Sequence, residues 1–171
     1  VAVGQGANAT STGAVAVGRS AVVGGTATEG VAIGVRAFAN AADTVAVGRD
    51  SDATFTSAVA LGALTQATGI QSTALGTSAD ATNSNATAAG FSAQATGLQS
   101  SSLGAFATAS GTSAVAIGFQ SSANQSETLA LGTAASADGV ESSAIGSGAI
   151  ASAQGAQAIG FNSRAVGIGS I

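Results

Sequence analysis

Small and apolar residues alternate in short bursts along this chain, and each burst closes on a glycine. Ser113-Ala114-Val115-Ala116-Ile117-Gly118 is the fullest example. Ala14-Val15-Ala16-Val17-Gly18, Thr44-Val45-Ala46-Val47-Gly48, Ala58-Val59-Ala60-Leu61-Gly62 and Ser143-Ala144-Ile145-Gly146 are variants of it. The closing glycines run from Gly4 to Gly160 at a spacing of 14 residues, with one interval of 16 between Gly18 and Gly34. A fixed short period defines a repeat architecture, in which each repeat is stabilised by stacking on its neighbours.

Numbering each repeat so that its glycine is position 14 makes residues 105–118 one unit. Position 3 is always small, position 5 is Ala except Val23, position 12 is Ala except Ser102, and position 13 is apolar throughout. Positions 3 to 5 and 10 to 13 alternate with period two, the pattern of a strand, and turn residues separate them. Two strands this short bury nothing alone, so the pattern predicts an all-β chain. The predicted fold is a parallel β-roll, a β-solenoid of about twelve 14-residue coils with two strands per coil. Residues 1–171 read as a single repeat domain, with one 16-residue coil at 19–34 whose extra residues lie near Gly24-Gly25-Thr26.

Charge restricts the interior. All 12 charged residues fall at positions 1, 2, 4, 6 or 9, for example Arg19, Arg36, Asp52, Asp138 and Glu127. A buried unpaired charge is costly. Positions 5 and 13, supported by 3 and 11, are therefore expected to line the coil. Positions 10 and 12 then face outward, where their small residues imply close packing against a copy of the same face. On this reading the chain-to-chain interface is formed by Ala16, Ala46, Ala60, Ala74, Ala88, Ser102, Ala116, Ala130, Ala144 and Ala158. A coil holding so few large apolar groups gains little burial against the entropy of ordering its backbone. The chain is accordingly expected to be an obligate oligomer.

Composition narrows the function. The net charge is −4 with no Lys, which argues against nucleic acid. Without Cys or His there is no disulfide, thiolate site or imidazole, and the acids are dispersed, so no catalysis, cofactor or metal is expected. Asp50, Asp52 and Asp80 could be read as a cation site. A solvated edge is the simpler reading, because such sites need six or more converging oxygens. Gly24-Gly25-Thr26 lacks the lysine of a phosphate loop. No apolar run approaches the ~18 residues of a membrane span, so this segment is expected to make no membrane contact. The chain starts at Val1 in mid-repeat without a signal peptide, as expected of a piece of a longer protein. Phe91, Phe119 and Phe161 share position 1. They are candidates either for packing at a corner between chains or, with Arg49 and Asp80, for contact with a ligand.

The pattern G-x-x-[SA]-x-A-x-G-x-x-S-V-A-I-G resembles the head repeat of trimeric autotransporter adhesins, the YadA-like heads of Gram-negative surface proteins. Ser113 to Gly118 carries it most fully, and Gly97 to Gly104 and Gly139 to Gly146 carry weaker forms. The resemblance implies left-handed winding, a homotrimer, and extracellular display on the outer membrane at the tip of a stalk. It also implies attachment to host cells or to matrix proteins of the collagen, fibronectin or laminin class. No neck, heptad stalk or C-terminal anchor is in view. Two other functions stay open. One is a purely structural spacer in a surface fibre. The other is an ice-binding solenoid, suggested by Thr54, Thr68, Thr82, Thr96 and Ser110 at position 6, although position 8 carries Ile70 and Leu98 where a second hydroxyl row is needed.

Overall fold

A computed structural model describes residues Val1–Ile171 and contains strands, turns and no helix. The chain forms two compact units, Val1–Asn85 and Ala86–Ile171. Each is a parallel β-solenoid, and together they supply about twelve coils. Each full coil contributes a two-residue strand at positions 4 and 5, such as Thr108–Ala109, and a three-residue strand at positions 11 to 13, such as Val115–Ile117; the first strand, Ala2–Val3, is shorter.

Like strands stack on like. In the first unit Val15 pairs with Val31, Val31 with Val45, Val45 with Val59, and Val59 with Thr73. In the second, Ser101 pairs with Val115, Val115 with Leu129, and Leu129 with Ser143. The 16-residue coil keeps this register, because its two additional residues are taken up in the turn between Val22–Val23 and Val31–Ile33. Turn hydrogen bonds stack with the same period: Asp43 N–H donates to Thr28 O, and Ser57 N–H to Ala42 O.

The turns explain the residue types between strands. Positions 2 and 9 adopt the left-handed conformation in coil after coil, as at Arg36 (φ 57°), Asp43 (φ 58°), Leu64 (φ 59°) and Phe106 (φ 58°). Glycine closes the coil for a different reason. At Gly132 φ is 135°, and a β-carbon there would lie 2.6 Å from the carbonyl of Gly146. Backbone meets backbone along this column, which leaves no room for a side chain.

Positions 3 and 5 line the coil interior as expected, but positions 10 to 13 are turned over. Ala16, Ala46, Ala60, Ala74, Ala88, Ser102, Ala116, Ala130, Ala144 and Ala158 are buried inside the coil. A row enclosed within its own chain has no surface to offer a second one, so these residues cannot form the expected interface. The large residues of positions 11 and 13 point outward instead. Ile33, Leu61, Leu75 and Leu131 remain about two-fifths exposed in the single chain (40%, 38%, 37% and 40%). The physical reason is width. Two facing strands closed by tight turns leave a narrow interior, and the side chains buried in it are almost all Ala, Ser and Thr. Val23 shows the limit. It is the one valine at position 5, and the residue facing it is Gly30, where a β-carbon would come within 2.8 Å of Val23 Cγ1.

Hydroxyls enter this interior because the turns supply acceptors. Thr44 Oγ1 donates to Ala41 O (2.6 Å), Ser72 Oγ to Gly69 O (2.7 Å), Ser100 Oγ to Gly97 O (2.7 Å) and Thr128 Oγ1 to Gln125 O (2.7 Å). Such bonds offset the cost of burying the group. Ser102 Oγ is the exception and has no partner.

Two outcomes follow for chemical denaturation of the full chain. Ala116→Leu overpacks a site held between Ser102 and Ala130 in the ladder. It is expected to lower coil stability by about 1–3 kcal/mol or more, whereas Ile117→Ala, on the outer face, lowers it less. Gly132→Ala adds both a steric clash and a strained φ, so it is expected to cost at least about 1–3 kcal/mol. A silent Ala116→Leu would show that position 12 is not the interior.

Candidate binding surface

Each unit presents two unlike outer faces. The three-residue strands show positions 11 and 13, which in the first unit include Val15, Val31, Val45, Val59, Ile33 and Leu61. Strand geometry sends these side chains to one side and the interior alanines to the other. The result is a mainly apolar face with no charged residue on it. The position-13 row is apolar throughout, and the position-11 row is interrupted by Thr73 in the first unit and by Thr87, Ser101, Ser143 and Gln157 in the second. The two-residue strands show position 4, which is Val22 and then Phe38 followed by the polar run Asp52, Gln66 and Asp80 in the first unit, and the polar run Gln94, Thr108, Ser122 and Ser136 followed by Ile150 in the second. Position 6 continues this polar face. Asn124 Nδ2 donates to Asp138 Oδ1 (2.6 Å), and Ser136 Oγ donates to Asp138 Oδ2 (2.8 Å). No pocket interrupts the surface.

The ligand-contact candidates do not converge on one place. Phe91 and Phe119 lie on the turn that follows the three-residue strand and are about half exposed. Phe106, which position counting set apart because it sits at position 2, bridges them. Its ring centroid is 5.2 Å from that of Phe91 and 6.1 Å from that of Phe119, both edge to face. Adjacency of positions 1 and 2 in stacked coils was the available signal. Phe161 is more exposed, at 78%. Arg49 lies on the corresponding turn of the first unit, where its Nη1 is 2.8 Å from Asp50 Oδ2. Asp80 lies on the polar face, away from that turn.

The same geometry bears on the acids singled out for a cation. Asp50 is engaged by Arg36, with Nε to Oδ1 at 2.5 Å and Nη2 to Oδ2 at 2.7 Å. The Arg36 hydrogen bond pulls the Asp50 carboxyl below its ordinary value. Asp52 is half-buried beside Phe38 and Gln66 in the ladder, and its Oδ1 has no hydrogen-bond partner. Burial pushes the carboxyls of both Asp52 and Asp80 up. Asp50 and Asp52 thus belong to different surfaces, one paired with arginine and one partly desolvated.

The geometry defines a parallel β-solenoid of 14-residue coils with two strands per coil and two unlike outer faces. The family model for the YadA head domain repeat matches residues 1–21, 26–51, 53–79, 81–107, 109–135, 123–149 and 137–163. The chain belongs to the YadA head domain family, which is a structural, adhesin-type family rather than an enzyme family. No curated protein matches the chain significantly.

The half-buried carboxylates give the polar face a pH dependence of definite sign. A carboxyl whose pKa is raised by folding favours the folded state most when protonated, so its contribution grows as pH falls and is lost as pH rises through the folded value. Asp52→Asn/Asp80→Asn is therefore expected to be more stable than the parent chain at about pH 7. That advantage should shrink as pH falls through the raised folded-state values and be gone below the ordinary aspartate value of about 3.9. Thermal unfolding of both chains across this range checks it. A gap that stays constant with pH would show that the two carboxyls are solvated as in the unfolded chain.

Proposed function

We propose that this chain is the head of a bacterial surface adhesin. Three copies assemble through the apolar outer face, and the exposed remainder attaches to host cells or matrix proteins of the collagen, fibronectin or laminin class. The observation that carries the assembly is that face. Its position-13 row of Val, Ile and Leu, with Ala89 the one small member, runs from coil to coil in each unit and stays partly exposed in a single chain. Contiguous apolar surface of this kind marks an interaction site. Packing it inward leaves the polar face of Asp52, Gln66, Thr108, Ser122 and Ser136 toward solvent and ligand. Left-handed winding and extracellular display on the outer membrane of a Gram-negative bacterium accompany this reading through the family.

Adhesion is distributed on this reading. The outer surface repeats similar polar and aromatic elements and offers no cleft for one ligand group. Linked weak contacts on three copies raise avidity without a strong single contact. Phe91, Phe119, Phe161, Arg49 and Asp80 each contribute to contact, and no one of them is essential.

Light scattering on the purified chain is expected to give a trimer, and paired Leu61→Ser/Leu75→Ser substitutions on the apolar face are expected to shift it toward monomer. Beads coated with collagen, fibronectin or laminin should bind cells displaying the parent chain. Single substitutions of Phe91, Phe119, Arg49 or Asp80 should weaken this binding only in part, and replacing several coils by consensus repeats should weaken it in steps. A stable monomer at micromolar concentration would refute the assembly. Total loss of bead binding from one point substitution would refute the distributed mechanism. A trimer that binds none of these proteins would favour a spacer role.

A further inference from the structure

The apolar face of the first unit has two borders, and their charges are opposite. Glu29 lies in the turn before the strand Val31–Ile33 and Arg36 in the turn after it. Asp43 lies before Val45–Val47, with Arg49 and Asp50 after it. Arg19 follows Val15–Val17 on the same side as the other arginines. One border therefore carries Arg19, Arg36, Arg49 and Asp50, and the other carries Glu29 and Asp43. Asp50 is shared by Arg36 and Arg49. Arg19 has no carboxylate partner, and neither Glu29 nor Asp43 has a cation partner, within the chain. All three are exposed. Glu29 and Asp43 sit in successive coils of one stacked turn column, so two like charges are held close together with nothing in their own chain to balance them.

We infer that these borders form a charge seam between parallel copies, with the basic border of one copy against the acidic border of the next. The inference rests on the reading that copies pack through the apolar face. Two ribbons brought face to face can run parallel or antiparallel. A parallel arrangement about an axis along the coils places the turn after each strand of one copy beside the turn before the same strand of its neighbour. Arg36 then meets Glu29, and Arg49 meets Asp43, at one level. An antiparallel arrangement sets like border against like, with arginines facing arginines and acids facing acids. The second unit carries the same bias. Its turns before the strands Leu129–Leu131 and Ser143–Ile145 hold Glu127 and Glu141, while its turns after the three-residue strands hold no charge. Antiparallel packing would oppose acids there as well, and parallel packing would not. Charges at the rim of an apolar contact contribute orientation and register more than affinity. A closed ring of such unlike edges is a heterologous interface, which needs the rotation to close.

Cysteine cross-linking in the full chain tests the seam, because the natural sequence has no cysteine. Ser57 and Leu64 flank the strand Val59–Leu61 on the two borders and carry no charge. Ser57→Cys and Leu64→Cys chains, co-refolded and treated with a short bismaleimide, are expected to cross-link several-fold more in the mixture than either does alone. Glu29→Arg/Asp43→Arg makes both borders basic and is expected to reduce the assembled fraction several-fold at low salt. Adding Arg36→Glu/Arg49→Glu to that chain exchanges the charges at both levels and is expected to restore it. Light scattering on the same samples separates the outcomes. Assembled chains in which self cross-links match or exceed the mixed one, or in which charge reversal changes nothing, overturn the seam alone. Chains that stay monomeric with no cross-link overturn both the seam and the assembly through the apolar face.

Discussion

The width of the coil interior is the constraint from which the rest follows. Fourteen residues wound into two strands and two tight turns leave room between the strands for methyl and hydroxyl groups and little else. The interior is accordingly a stack of alanines relieved by Ser and Thr, several of which donate to the turn carbonyl three residues back. Side chains above that size are excluded unless the opposite position gives way, as Gly30 does for Val23. Every Val, Ile and Leu of the strand repeat, Val23 apart, is consequently displaced to the outside. An ordinary domain hides its large apolar groups and shows its small polar ones, but here the narrow coil reverses the order. Association is then the available way to remove the displaced groups from water.

That reversal explains what the sequence made legible and what it did not. Period, strand positions, the glycine column, the widened turn and the inward direction of positions 3 and 5 could all be read from residue spacing. The direction of positions 10 to 13 could not be read by the same means. Charge is absent from all four, so it cannot say which pair is enclosed. The habit of placing large apolar residues inside then assigns Val115 and Ile117 to the core and Ala116 to the surface, the opposite of what the structure holds. A signal was present in the chain. Position 5, already read as interior, is alanine almost throughout, and a coil whose one wall is alanine has no reason to accept leucine on the other. The pairing of Val23 with Gly30, the single departure at position 5 beside the single glycine at position 10, points the same way.

The surface candidates were legible only in part, for a related reason. Position numbering separates Phe106 from Phe91 and Phe119, although stacked turns bring the three rings into an edge-to-face chain. It also brings Asp50 and Asp52 close in sequence, although a strand and a turn direct them to different sides. One carboxylate ends between two arginines, and the other ends half-buried on the polar face. In a solenoid, proximity runs along columns of equal position, and sequence neighbours often lie on unlike surfaces.

The coil of 16 residues acquires a role once folding is considered. Columns that repeat every 14 residues leave the chain nearly indifferent to sliding by one coil, because each slipped pairing again sets alanine on alanine and glycine on glycine. Register is weakly specified wherever the pattern is uniform. The wide turn breaks that degeneracy. Ser11 Oγ shares its one proton between Gly24 O (2.8 Å) and Ala27 O (3.0 Å), and Thr26 Oγ1 donates to Asn40 O (3.0 Å). A first unit slipped by one coil would set this turn against the wrong neighbours and forfeit those bonds. A two-residue irregularity thus acts as a fiducial mark, giving an otherwise translation-symmetric chain a single origin from which its coils are counted.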